Sequence, residues 1–179
     1  MSGQQRLPLE VDPFRMAELG RRFEGNVEIR TLKRLLPLLE STTGSIDVEL
    51  EFDIDEGGIR YLQGKLQTSL VLKCQRCLEA MDYPLQNEFR LALVHSDSEA
   101  ERLPEQYEPQ IVETTPMHML DMIENEILIS IPHIPMHDEA LCSIKQFSNE
   151  NELVEQRDEA SVKANPFAVL EKLKKDHLK

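Results

Sequence analysis

The chain carries three cysteines, and two of them stand in "KCQRCLE", as Cys74 and Cys77. A C-x-x-C pair brings two thiolates within reach of one ion. The third, Cys142, ends "HIPMHDEALC", where His137 precedes it in a His-x4-Cys spacing that can offer an imidazole and a thiolate from one loop. Cys74, Cys77, His137 and Cys142 together make a four-ligand N/S set, the kind that suits tetrahedral, closed, structural zinc. His133 is a spare donor in the same loop. Two other readings stay open. The pair could be half-buried cysteines at a hairpin, with Cys142 unrelated. It could be a redox couple, although such couples usually open a helix whose N-terminus lowers the thiol pKa. The metal reading sets a geometric condition: the turn at Cys74–Cys77 must meet the loop that ends at Cys142.

A second constellation is basic. Arg21, Arg22, Arg30, Lys33 and Arg34 cluster early, and Lys73 and Arg76 flank the cysteines. These cations could contact RNA phosphates or a partner. Only Phe23 lies among them, which gives no platform for base stacking. The whole chain points the other way, with a net charge of −13. The excess sits between His95 and Glu159, where 16 acids face 3 bases. Such a surface repels phosphate backbones and attracts basic proteins. Catalytic signatures are missing: the sequence holds no Gly-rich phosphate loop, no G-x-S-x-G and no H-E-x-x-H. The reading is a non-enzymatic protein without a small-molecule substrate.

The elements that must position these residues are legible in part. An odd number of cysteines argues against a disulfide framework. No apolar run approaches the roughly 18 residues of a membrane span, and "MSGQQRLPLEVD" has no apolar signal core. These features suggest a cytoplasmic protein with no membrane partner. "RLPLEVDPFRMAELG" reads as a short strand, a turn at Asp12-Pro13 and one or two helical turns that Gly20 could end. "RTLKRLLPLLE" has a helical apolar pattern that Pro37 interrupts. In "SIDVELEFDID", Ile46, Val48, Leu50, Phe52 and Ile54 alternate with acids, giving one dry and one acidic face. "DEGG" at 55–58 makes a hairpin turn. "GKLQTSLVLKC" and "MDYPLQNEFRLALV" alternate again, which completes a three-strand antiparallel meander. Pro84 belongs near the start of the third strand or on an edge. The cysteine pair then lies at the turn between the second and third strands.

Residues 95–113 read as a long polar connection. Thr115 as cap and Pro116 at the first position predict a helix over 116–131, with Pro132 ending it. Residues 143–164 are acidic and poor in apolar side chains, the mark of a flexible linker. "NPFAVLEKLKK" predicts a closing helix at about 166–176, with Phe167, Leu170 and Leu173 as an apolar stripe for docking. The predicted architecture is α+β: an antiparallel meander or partly closed barrel, a packed helix and a tethered C-terminal helix. Its parts are a domain at 1–142, a linker at 143–164 and a helical segment at 165–179.

"LKCQRCLEAMDYPL", "LPEQYEP", "DMIENEILISIPHIPMHDEALC" and "NPFAVLEKLK" occur in this order, and the combination resembles the YceD family of large ribosomal RNA subunit accumulation proteins. The family pattern falls on Cys74, Arg76, Cys77, His137, Cys142, Asn165, Pro166 and Phe167. The resemblance implies a role in the production, processing or stability of 23S ribosomal RNA. It implies ribosomal RNA or ribosome-assembly and processing proteins as partners, and it supplies no catalytic residue. Some relatives carry more cysteines after the helix, whereas this chain has only "HDEALC" there. Direct RNA contact competes with an acidic adaptor that holds a basic ribosomal protein or recruits a processing enzyme.

Overall fold

Period-two alternation builds the centre of the fold. The computed structural model describes residues 7–143. Its long strands are β4 (Ser45–Ile54), β5 (Arg60–Lys73) and β6 (Ala80–Val94), paired antiparallel in sequence order. Ile46, Val48, Leu50 and Phe52 of β4 are buried, as are Leu62, Leu66, Leu70 and Leu72 of β5 and Leu85, Phe89, Leu91 and Leu93 of β6. Each such side chain contributes about 1.5–3 kcal/mol on leaving water. Asp47, Glu49 and Lys65 point to the other, wet face. Pro84 lies in the half of β6 that has β5 on one side only, consistent with its missing N–H.

The start of the chain forms β1 (Glu10–Val11) and α1 (Pro13–Glu18). The Arg15 N–H donates to the Asp12 side chain at 3.2 Å, Pro13 opens the helix, and Gly20 follows at φ 55°. β2 (Arg22–Glu28) then pairs antiparallel with β4. The segment that contains Pro37 holds two short 3-10 turns, Ile29–Thr31 and Leu36–Leu38, before β3 (Leu39–Ser41) joins the far end of β5.

Three expectations are corrected. The main sheet is an open path, β2-β4-β5-β6 and then β7 (Glu108–Ile111), with β3 on β5, and the described pairings do not close it into a barrel. The polar connection contains α2 (Asp97–Ala100) and β7 (Glu108–Ile111), which pairs parallel to the end of β6, so the sheet is not wholly antiparallel. α3 runs Met119–Ser130, starting later than 116, because Met117 and His118 are taken into a strand, β8 (Met117–His118), opposite β1. A long-range pairing displaces the local cap signal at Thr115-Pro116. α3 stops before Pro132, as its sequence requires, and buries Met119, Met122, Ile123 and Ile127. No helix among the described residues is long and apolar enough to cross a membrane. The predicted linker, beyond its first residue Ser143, and the predicted C-terminal helix with Phe167, Leu170 and Leu173 lie outside the described residues.

Candidate metal centre and its flanking loops

The β5–β6 turn and the loop after α3 meet. The register closes Lys73 against Ala80, leaving residues 74–79 as the connection. Within it the Cys74 N–H donates to the Glu79 carbonyl and the Leu78 N–H to the Cys74 carbonyl, each at 2.9 Å. This tight turn demands a left-handed residue, and Leu78 supplies it at φ 63°. The other loop is pinned by the Gln75 N–H, which donates to the Pro135 carbonyl at 2.8 Å. In that loop the Leu141 and Cys142 N–H groups both donate to the Asp138 carbonyl, at 2.9 and 3.1 Å.

These bonds gather Cys74, Cys77, His137 and Cys142, whose donor atoms all lie within 4.8 Å of one another. Cys77 Sγ stands 3.4 Å from His137 Nδ1, and the His137 N–H donates to Cys74 Sγ at 3.5 Å. Bond lengths of ~2.3 Å to sulfur and ~2.0 Å to nitrogen around a tetrahedral ion put ligand atoms about 3.5–3.8 Å apart. The set is therefore close to the size such an ion needs. Cys74 and Cys142 are buried and Cys77 is half-buried; none is in a disulfide. Burial pushes the Cys74 thiol up, yet N–H groups of Cys77, His137 and Arg76 aimed at its sulfur outweigh this and bring it from 9.0 down to about 5. The Glu79 N–H pulls Cys77 down, but burial and the Cys74 and Cys142 thiols together lift it above 9.0. These N–H groups thus favour the thiolate at Cys74, and a divalent cation would displace the remaining protons. His133 is exposed and stands outside this set.

The basic residues have a different fate. Arg22 Nε donates to Glu51 at 3.0 Å across the β2–β4 pair. Arg30 pairs with Glu28, and Lys73 Nζ lies 3.5 Å from Glu40. Arg34 is a structural tie: its Nε donates to the buried Glu124 carboxylate at 2.8 Å and its Nη1 to Asn125 at 2.7 Å, both on α3. Arg21 and Lys33 are exposed. Arg76 lies against the cluster's loop, with Nη2 3.7 Å from Met136 Sδ. Four of the seven cations are therefore matched to carboxylates.

The family described as "Large ribosomal RNA subunit accumulation protein YceD" matches residues 62–174. A relative of that name from Haemophilus influenzae is 32% identical over 170 residues, covering 94% of this chain and 97% of its own. The chain belongs to the YceD family. No solved structure matches it at a comparable level of significance. The YceD match takes in β5 from Leu62 onward, β6, α3 and all four candidate ligands.

Residue types and spacing named the four residues that the two loops bring together but missed the exposed apolar side chains on those loops. Leu78, Ile134, Met136 and Leu141 are all exposed on these two loops. The available signal was the leucine directly after C-x-x-C, where a turn of this kind favours glycine.

Proposed function

We propose that this YceD-family chain is a non-enzymatic factor of large-subunit assembly that promotes accumulation of 23S ribosomal RNA in the cytoplasm. The observation that carries this is the extent of the relationship, which runs over 94% of the chain to a relative named for that role. We further propose that it acts as an acidic adaptor gripping a basic ribosomal protein or processing enzyme. The pairing of Arg22, Arg30, Arg34 and Lys73 with carboxylates supports this reading, since an acid beside each cation lowers the positive potential that a phosphate backbone would meet. The net charge of −13 supports it as well.

The four-ligand set fits zinc by donor chemistry and by spacing. Bound there, the ion would supply no reaction; it would clamp the β5–β6 turn to the loop after α3. Cys74, Cys77 and Cys142 would hold it as thiolates and His137 as neutral imidazole.

The test is rescue of a deletion strain, reading the ratio of 23S to 16S RNA. The wild-type gene should restore the ratio. A triple variant carrying Arg21→Glu, Arg22→Glu and Lys33→Glu should restore it as well, and Arg34 is left intact because α3 depends on it. Failure of that variant, with salt-sensitive RNA binding by the wild type, would establish direct RNA contact instead. An unchanged ratio in the deletion strain would remove the assembly role altogether.

A further inference from the structure

Leu78 is the residue the metal turn explains least. Its φ of 63° lies where side chains with a Cβ are strained, and 65% of its surface is exposed. A glycine would satisfy the turn without strain and without placing an apolar group in water. The leucine therefore costs the fold twice, and strain kept at one exposed position points to a role outside the fold. Its neighbours repeat the pattern: Ile134 is 64% exposed, Met136 46% and Leu141 74%, all on the partner loop. Beside them opens a groove of ≈ 430 Å³ between Leu38, Leu72, Leu128, Ile131 and Pro135. Gln75 and Pro135 line that groove and also make the bond that joins the two loops, so the groove borders the loops that carry these side chains.

The charge around this surface is negative. Glu79, Asp138 and Glu139 are exposed on the same two loops. Lys73 is occupied by Glu40. With zinc bound, three thiolates would leave one excess negative charge on the centre. We infer that the apolar rim of the metal turn, with its adjoining groove, is a docking surface for a basic amphipathic segment of a partner protein. Large apolar side chains of that segment fill the groove and cover Leu78 and Leu141, while its lysines and arginines meet Glu79, Asp138 and Glu139. The inference rests on the adaptor reading and assigns it a place on the molecule.

A photo-crosslinking amino acid at position 141, with position 63 on the far face of the sheet as control, tests this in growing cells expressing the full chain. The expected result is one protein, identified by mass spectrometry, trapped from 141 and not from 63, through a segment that combines Leu, Ile or Phe with Lys or Arg. Adducts only to RNA, to a second copy, to residues 144–179 of the same chain, or to nothing would overturn the inference. A Leu78→Gly variant separates docking from folding. It should keep the wild-type zinc content and melt no lower, yet form the adduct roughly tenfold less. An undiminished adduct overturns the inference. The two readings fail separately. If the adduct forms but deletion leaves 23S RNA unchanged, the assembly role falls and docking stands. If deletion lowers 23S RNA and Leu78→Gly restores it with a full adduct, docking falls and the role stands.

Discussion

Glu124 is buried on α3, yet it is charged, because one carboxylate serves three donors: the N–H groups of Arg34 at 2.6 Å and Leu35 at 3.1 Å, and Arg34 Nε at 2.8 Å. Burial pushes this carboxyl up, but the Arg34 side chain and the two N–H groups outweigh it, and it titrates below the ordinary 4.5. Its contribution is complete above the unfolded value and is lost as pH falls through the lower folded one. Removing one side of a buried charged network leaves donors unsatisfied, so Glu124→Ala should cost about 2–4 kcal/mol at neutral pH, read by thermal melting. Glu126, two residues on, runs oppositely. Burial raises its carboxyl, the Asn87 amide only partly offsets this, and the Glu108 charge adds to it. Ionising it opposes folding, so stability falls as pH rises through its folded value. Glu126→Gln is expected to raise the melting temperature at about pH 7 and to match wild type well below the usual Glu range. A variant that melts lower than wild type at neutral pH would show that Asn87 needs the carboxylate.

At the scale of elements, the three central strands were legible because each is long and buries one face, so alternation repeats enough to be read. The shorter pieces were not. β7 spans four residues, shows no alternation, and is held by Tyr107, whose OH donates to Asp55 at 2.7 Å and whose ring lies 4.8 Å from the Arg90 guanidinium. β1 and β8 are two residues each and exist only through their mutual pairing. Nothing local announces such contacts. Inside β5 the fold depends on an absence: Gly64 faces Phe89 directly, and a Cβ at Gly64 would meet the ring at 2.1 Å. The ring fills the space a side chain would take. Gly64→Ala is expected to destabilise by about 1–3 kcal/mol, since the ring must leave its place. Phe89→Leu alone should also destabilise. The double variant should cost less than the sum of the two, a coupling that denaturant melts of all four proteins would measure. Additive losses would place the strain elsewhere.

For the whole molecule, the candidate centre was legible as composition and spacing, because C-x-x-C and His-x4-Cys are local patterns. Their meeting was not, since it requires β5, β6 and α3 to be in place first. That dependence runs both ways. Cys77 and His137 are 60 residues apart, and closing a loop of that length costs chain entropy that a shared ion would help to offset. The apolar rim lies on the clamped loops, and Gln75 and Pro135 of those loops form one edge of the groove, so a metal-free chain should lose the docking surface before it loses the sheet, whose leucines are buried independently of the cluster. Protein purified without a histidine tag should therefore carry about one zinc per chain. Chelation should lower the melting temperature by several degrees, make all three thiols reactive to a sulfhydryl reagent, and leave the far-ultraviolet dichroism of the sheet unchanged. Cys77→Ser should reproduce this state and show no further shift with chelator. If wild type carries no metal and chelator leaves both thiol reactivity and melting unchanged, the four residues are packed side chains, and the loops are held by the Gln75–Pro135 bond and their neighbours alone.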